Sequence, residues 1–211
     1  PFEDMKVDKF TSHTRGFIKI QDGCNNYCSY CIIPYVRGNI RSKDIDVALK
    51  EAKELVANNH KEIVLTGIHT GSYGVGYDFD LVDLINKMST IPGLKRIRLS
   101  SVEITELNDK FMELLKNNAI LCDHLHIPLQ SGSEKILKLM NRKYDKARYE
   151  SIINQIRAIR PEISITTDVI VGFPGETESD FNECLDFCKK MQYAKIHVFP
   201  YSKREGTKAA S

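Results

Sequence analysis

The feature that most constrains this chain is a regular alternation of short β-rich runs with longer amphipathic stretches. Six runs read as strands: Phe17–Gln21, Ile63–Thr66, Arg96–Ser100, His124–Pro128, Ile165–Val171 and Lys195–Phe199. Between them apolar residues recur at helical spacing. Ala48, Leu49, Ala52, Leu55 and Val56 make one stripe, and Leu81, Leu84, Ile85 and Met88 a second. Leu107, Phe111, Leu114 and Leu115 make a third, Ile152, Ile153, Ile156 and Ile159 a fourth, and Phe181, Leu185, Cys188 and Met191 a fifth. Thr177 to Asp180 reads as a helix N-cap after the Pro174-Gly175 turn. Strand alternating with helix predicts a parallel sheet covered by helices. Six such units are too few to close an eight-unit barrel. The expected fold is therefore α/β, a partial, open (β/α)6 TIM-like barrel.

In such folds the chemistry sits at the C-terminal ends of the strands. The polar words of this chain obey that rule. Asp22-Gly23-Cys24 follows the first strand, Gly67-Ile68-His69 the second and Gln130-Ser131-Gly132 the fourth. Gly172-Phe173-Pro174-Gly175-Glu176 follows the fifth and Pro200-Tyr201 the sixth. The 211 residues suffice for one domain with a substantial core. No internal repeat or linker divides them, and residues 1–14 read as a polar leader. The segment after the last strand stops without a continuing helix, so the chain reads as a fragment of a longer protein. No apolar run is long enough to span a bilayer, and PFEDMKVDKF has no secretory apolar region. A cytoplasmic setting is expected. The net charge of +2 neither argues for a nucleic-acid partner nor excludes one, because a local basic patch suffices.

Three of the six cysteines, Cys24, Cys28 and Cys31, lie in one Asn-rich loop directly after the first strand. Thiolates are soft ligands for zinc or iron–sulfur clusters. A structural zinc site needs four ligands. No fourth cysteine or histidine follows closely; the next are His60, His69 and Cys122. Three thiolates on a four-iron cluster leave one iron open. Buried apolar cysteines, or a zinc knuckle completed by a distant histidine, are the competing readings. A polar loop is poor core material, which favours the cluster.

This loop, CxxxCxxC after the first strand of a βα series, resembles the radical S-adenosylmethionine superfamily. The words around it are more specific. RGFIKIQDGCNNYCSYCIIPYVRGNIRSK, LTGIHTGSYG, RLSSVE, HIPLQSGS, MNRKY, TTDVIVGFPGETESDF and HVFPYSKREGT resemble the methylthiotransferases over nearly the whole chain. Gln21-Asp22-Gly23 and Gly67-Ile68-His69 are most similar to the branch that modifies N6-threonylcarbamoyladenosine beside the anticodon of transfer RNA. Branches acting on isopentenyladenosine or on a ribosomal protein are the alternatives. A non-enzymatic zinc-bound RNA module is the reading from another class. The sequence departs from the family pattern at Val102-Glu103-Ile104 and at Lys208, away from the cysteines.

The resemblance implies a [4Fe-4S] cluster on Cys24, Cys28 and Cys31, with S-adenosylmethionine chelating the open iron. It implies Tyr30, Gly67, Gln130, Ser131, Arg142, Asp168 and Tyr201 as cofactor contacts, with the Gly172 to Glu176 turn around the adenine and His69 near the methionine end. It further implies a low-potential electron donor such as flavodoxin or ferredoxin, and transfer RNA as partner through the full-length protein. A second-cluster domain and an RNA-binding TRAM domain are absent from these residues, so the chain is expected to cleave the cofactor without completing methylthiolation.

The same residues have plainer readings. Ser131 or Ser133 suits a helix N-cap. Arg142 suits either a carboxylate clamp or a solvated surface charge. Asp168 suits either the barrel mouth or a core hydrogen bond. Tyr30 suits packing. Cys122, Cys184 and Cys188 read as buried small hydrophobes. Arg37, Arg41 and Lys43, with Lys203 and Arg204, form two basic runs that could approach RNA phosphates together.

Overall fold

A computed structural model describes Phe2 and residues 14–211. The leader expected at residues 1–14 therefore lies almost wholly outside the described residues. Among the described residues there are seven strands: β1 (Arg15–Asp22), β2 (Arg41–Ser42), β3 (Glu62–Gly67), β4 (Arg96–Leu99), β5 (His124–His126), β6 (Ser164–Val171) and β7 (Lys195–Pro200). The helices are α1 (Ile33–Arg37), α2 (Ile45–Ala57), α3 (Leu81–Ser89), α4 (Asp109–Asn117), α5 (Glu134–Leu139), α6 (Lys146–Ile159) and α7 (Glu178–Met191). All six expected strands form, within a residue or two of their expected bounds. The seventh, β2, is a two-residue antiparallel return onto β1 and is too short to show a period.

The strands order as β2-β1-β3-β4 and β5-β6-β7. Every pairing except β1 with β2 is parallel. A parallel bridge between Ile97 and Leu121 joins the two sheets. The wall is thus a partial barrel of six parallel strands, open between the β1–β2 side and β7. Alternation fixes its two faces. Ile18, Ile20, Ile63, Leu65, Ile97, Leu99, Leu125 and Ile165 point outward and are buried with the helices in one core. The opposite face looks into the lumen.

Four of the helical stripes bury as expected, although Leu107 lies in a turn just ahead of α4 rather than within it. The fifth needs correction. On α7 the buried face is Cys184, Phe187, Cys188 and Met191, while Phe181 and Leu185 are exposed. Both faces of α7 carry large apolar residues, so spacing alone does not choose between them. Cys184 is drawn inward because Gly132 packs against it: the Gly132 amide donates to Cys184 Sγ at 3.1 Å. A Cβ on Gly132 would lie 2.9 Å from Cys184 Cα. Thr177 caps α7 as expected, in a reciprocal box with Asp180.

Candidate functional site

The cysteine loop leaves β1 through Asp22 and Gly23. Gly23 has φ +76°, and a Cβ there would run into the Asn39 carbonyl, so only glycine fits. Gln21 is fully buried and braces the turn. Its Nε2 donates to the carbonyls of Asp22 at 2.9 Å and Gly23 at 2.6 Å. Its Oε1 accepts from the His69 amide at 2.7 Å. Gly67 makes room for this side chain, since a Cβ at Gly67 would come within 2.9 Å of Gln21 Oε1. The two words Gln21-Asp22-Gly23 and Gly67-Ile68-His69 therefore meet in space.

Cys24, Cys28 and Cys31 are all free and half-buried, whereas Cys122, Cys184 and Cys188 are buried. Around the loop the protein presents cations and N–H groups to sulfur. Arg142 Nη1 donates to Cys28 Sγ at 3.1 Å, and the Asn26 amide to Cys24 Sγ at 3.4 Å. His69 Nδ1 lies 3.8 Å from Cys24 Sγ. Burial pushes the Cys31 thiol up, and the neighbouring Cys28 and Cys24 add to the shift. Three thiolates in this loop would repel one another, and metal cations among them would relieve that repulsion. Among the described residues no three His, Cys, Asp or Glu side chains gather closely enough for a single metal ion. The donor set, soft and threefold with N–H support, fits an anionic iron–sulfur cluster.

Burial works against a charged His69 ring, but hydrogen bonds to Cys24 and Glu106 outweigh it and push the ring up to about 10. Nε2 of His69 is ion-paired with Glu106.

Arg142 is not a surface charge: its side chain is 4% exposed. It pairs with Glu103 through Nη2, donates to the Tyr144 hydroxyl at 3.1 Å and reaches the Tyr30 hydroxyl at 3.5 Å. Glu103 carried no role in the sequence reading, because a lone glutamate in a loop gives no sign of its partner.

Four of the residues implied as cofactor contacts come together. Tyr30, Gln130, Asp168 and Tyr201 line one open pocket of about 330 Å³ with Ile170, Phe199 and Arg204. Gln130 is held in the left-handed region at φ +67°, its backbone clasped by Asp168 and Ile170. Such a conformation is costly for a residue other than glycine. Phe173, itself buried, meets Tyr30 and Tyr201 edge to face behind the pocket, at 6.4 and 5.5 Å between ring centroids. Gly172 (φ +71°) and Gly175 (φ +85°) turn the chain beside them.

The others are placed elsewhere. Gly67 packs on Gln21, and Arg142 stands against Cys28. Ser131 needs correction as a cofactor contact: it is fully buried, and its hydroxyl accepts from the Ser133 amide. Neither serine caps α5 with its side chain; Ser133 donates instead to Asp180. Lys43 leaves the basic run too, since it is buried and bonded to Glu51 at 2.5 Å. Arg41 and Arg37 share the buried Asp22 carboxylate with Lys19.

The lumen face adds groups that periodicity alone did not single out. His126 Nε2 lies 3.1 Å from Asp168 Oδ2, and its Nδ1 lies 2.9 Å from Thr166 Oγ1. His197 stands edge to face with His126 at 5.8 Å. The signal was His-Leu-His in a parallel strand, where both faces normally read apolar.

Residues 18–188 match the Radical SAM superfamily. Over 211 residues the chain is 47% identical to the threonylcarbamoyladenosine tRNA methylthiotransferase MtaB of Bacillus subtilis (strain 168), covering 99% of this chain and 47% of that protein. Over 209 residues it is 44% identical to a tRNA-2-methylthio-N(6)-dimethylallyladenosine synthase of Clostridium tetani, covering 98% and 46%. The chain thus spans about half the length of the curated relatives it matches. Among solved structures, the radical S-adenosylmethionine methyltransferase TsrM of Kitasatospora setae superposes with a TM-score of 0.76 at 17% identity, covering 93% of this chain and 38% of that one. That likeness confirms the partial-barrel architecture. The superfamily match takes in the cysteine loop and five of the six parallel strands, and the chain belongs to the radical S-adenosylmethionine superfamily.

Proposed function

We propose that this chain is the catalytic core of an enzyme that methylthiolates N6-threonylcarbamoyladenosine in transfer RNA. The observation that carries the reading is 47% identity over essentially the whole chain to the Bacillus subtilis enzyme of that name. In this reading Cys24, Cys28 and Cys31 hold a [4Fe-4S] cluster. When bound, that cluster supplies the electron that cleaves S-adenosylmethionine to a 5′-deoxyadenosyl radical. A low-potential donor, flavodoxin or ferredoxin, is the matching reductant.

The chain's own residues prepare that chemistry. Arg142, fixed by Glu103 and Tyr144, sets a buried positive charge against Cys28. A buried guanidinium beside a thiolate stabilises the anion, and its planar fork suits a carboxylate arriving next to it. Tyr30 and Tyr201, backed by the buried Phe173, give an aromatic wall, and Gln130 and Asp168 give polar groups, in a pocket sized for part of a nucleoside. Gln21 and Gly67 hold the cysteine loop to the β3 tip.

The dimethylallyladenosine synthases, at 44% identity, support a second reading in which the same core serves an isopentenylated base. Two measurements test the proposal. Anaerobic reconstitution should load iron and acid-labile sulfide, and Cys24→Ala, Cys28→Ala or Cys31→Ala should each abolish the loading. Cys184→Ala and Cys188→Ala should leave it unchanged; iron loss in either would sink the ligand assignment. Deleting the gene should remove 2-methylthio-N6-threonylcarbamoyladenosine from transfer RNA by nucleoside mass spectrometry. Loss of the isopentenyl analogue instead would select the second reading.

A further inference from the structure

The lumen face of the β5–β7 wall is polar as far as Asp168 and His197 and turns apolar at Ile170 and Phe199 beyond them. Parallel strands covered on both faces usually read apolar on both, and barrel interiors are usually filled by branched apolar side chains. Here the inward positions are His124 and His126 on β5, Thr166 and Asp168 on β6, and Lys195 and His197 on β7, paired in register. The polar groups form a connected set. Thr166 Oγ1 bridges His124 Nε2 at 3.2 Å and His126 Nδ1 at 2.9 Å. His126 in turn holds Asp168 at 3.1 Å. His197 is half-buried and sits directly beside Asp168 in the β6–β7 register. Among the described residues neither ring nitrogen of His197 has a hydrogen-bond partner in the protein.

Asp168 also borders the pocket lined by Tyr30, Gln130 and Tyr201, which is assigned above to the cofactor, so a group held by Asp168 from the lumen side would lie next to the cofactor. The lumen next to that pocket therefore offers a held carboxylate and, beside it in register, the half-buried His197 imidazole with hydrogen-bonding capacity to spare. Those two groups suit a ligand that carries both donors and an anion.

We propose that His197, beside the His126–Asp168 pair, is a specificity-determining residue that favours an adenosine whose N6 substituent carries a carboxylate and hydrogen-bonding groups. The inference rests on the reading above that the substrate is an N6-modified adenosine. A threonylcarbamoyl group has a carboxylate to accept from the His197 ring N–H. Its hydroxyl and ureido N–H groups can donate to Asp168. A dimethylallyl group has none of these. It would strip water from Asp168 and His197 and return nothing, and an unpaired buried polar group is costly. A site built to hydrogen-bond a substrate rejects an analogue lacking those groups far more strongly than an apolar site rejects a polar one. Identities of 47% and 44% do not separate the two substrates.

The test is nucleoside affinity of the reconstituted chain, read by NMR titration with three probes: N6-threonylcarbamoyladenosine, N6-dimethylallyladenosine and adenosine. Wild type should prefer the threonylcarbamoyl nucleoside over the dimethylallyl one by about tenfold or more, the factor one retained hydrogen bond gives. His197→Phe should erase that preference, and His197→Gln should restore part of it. A preference retained in His197→Phe overturns the assignment to His197 and leaves the substrate reading standing. A wild-type preference for the dimethylallyl nucleoside overturns both. Equal binding of all three probes, or binding of none, overturns the proposal alone, because nucleoside analysis after gene deletion decides the substrate independently.

Discussion

At the residue scale, the most consequential side chain outside the cysteine loop is Arg142. Its guanidinium is buried against Glu103, Tyr144, Tyr30 and Cys28. Burial disfavours its charge, but Tyr144, Glu103, Tyr30 and Cys28 outweigh that and hold its pKa well above the ordinary value. Removing one partner of a buried pair strands the other, at a typical cost of about 3–5 kcal/mol. Arg142→Ala should therefore lose about that much stability in urea denaturation, and Arg142→Ala with Glu103→Gln should recover a large part of it. A single variant as stable as wild type would return Arg142 to a surface charge. Sequence alone left Arg142 divided between clamp and solvated charge, because its partner Glu103 is 39 residues away in the chain. Ser131 shows the same blindness in the other direction. It stands at a strand tip, where cofactor contacts gather, yet its hydroxyl turns into the core.

At the element scale, the strands were the legible part, since a run of β-branched residues between turn signals states its own identity. Faces were less legible. On α7, apolar residues occur all round, and the buried side was decided by Gly132 and by the Asp180 network. That network couples α7 to α5. The Lys135 ammonium, then the Thr177 hydroxyl and amide, hold the Asp180 carboxyl well below the ordinary carboxylate range. A carboxyl depressed in the folded state contributes stability above its unfolded pKa of about 3.9 and loses it as pH falls through the lower folded value. Denaturation midpoints should accordingly fall on acidification below about pH 4, and Asp180→Asn should flatten that limb. Thr177→Ala should cost about 1 kcal/mol at neutral pH, the usual worth of a threonine cap. Equal acid sensitivity in wild type and Asp180→Asn would assign the acid limb to other carboxylates, such as Glu62 and Asp22, which neighbouring cations also depress.

At the scale of the whole molecule, the open side of the barrel decides how a large substrate could enter. One rim carries Lys19, Arg37 and Arg41, which share the buried Asp22 carboxylate. The other carries Lys203 and Arg204 beyond β7, where Val198 and Phe199 are also exposed. Lys43, which looked like part of the first rim, is internal. No described helix is long and apolar enough to cross a membrane. With 30 basic residues against 28 acidic ones, little long-range field remains to gather RNA. On the proposed function, the rims would supply a few phosphate contacts rather than a groove. Each neutralised phosphate contributes about 0.7–0.9 to the slope of log affinity against log salt, so an anticodon stem-loop should bind this chain with a slope of only about −2 to −3. Anisotropy titration across salt concentrations measures it. Lys203→Ala with Arg204→Ala should make the slope shallower by about 1–2, uniformly across RNA sequences, because phosphate contacts position without reading bases. A slope of −6 or steeper would show that the chain engages many more phosphates than its two rims provide. An unchanged slope in the double variant would place RNA on another face and leave the open side to the modified base alone.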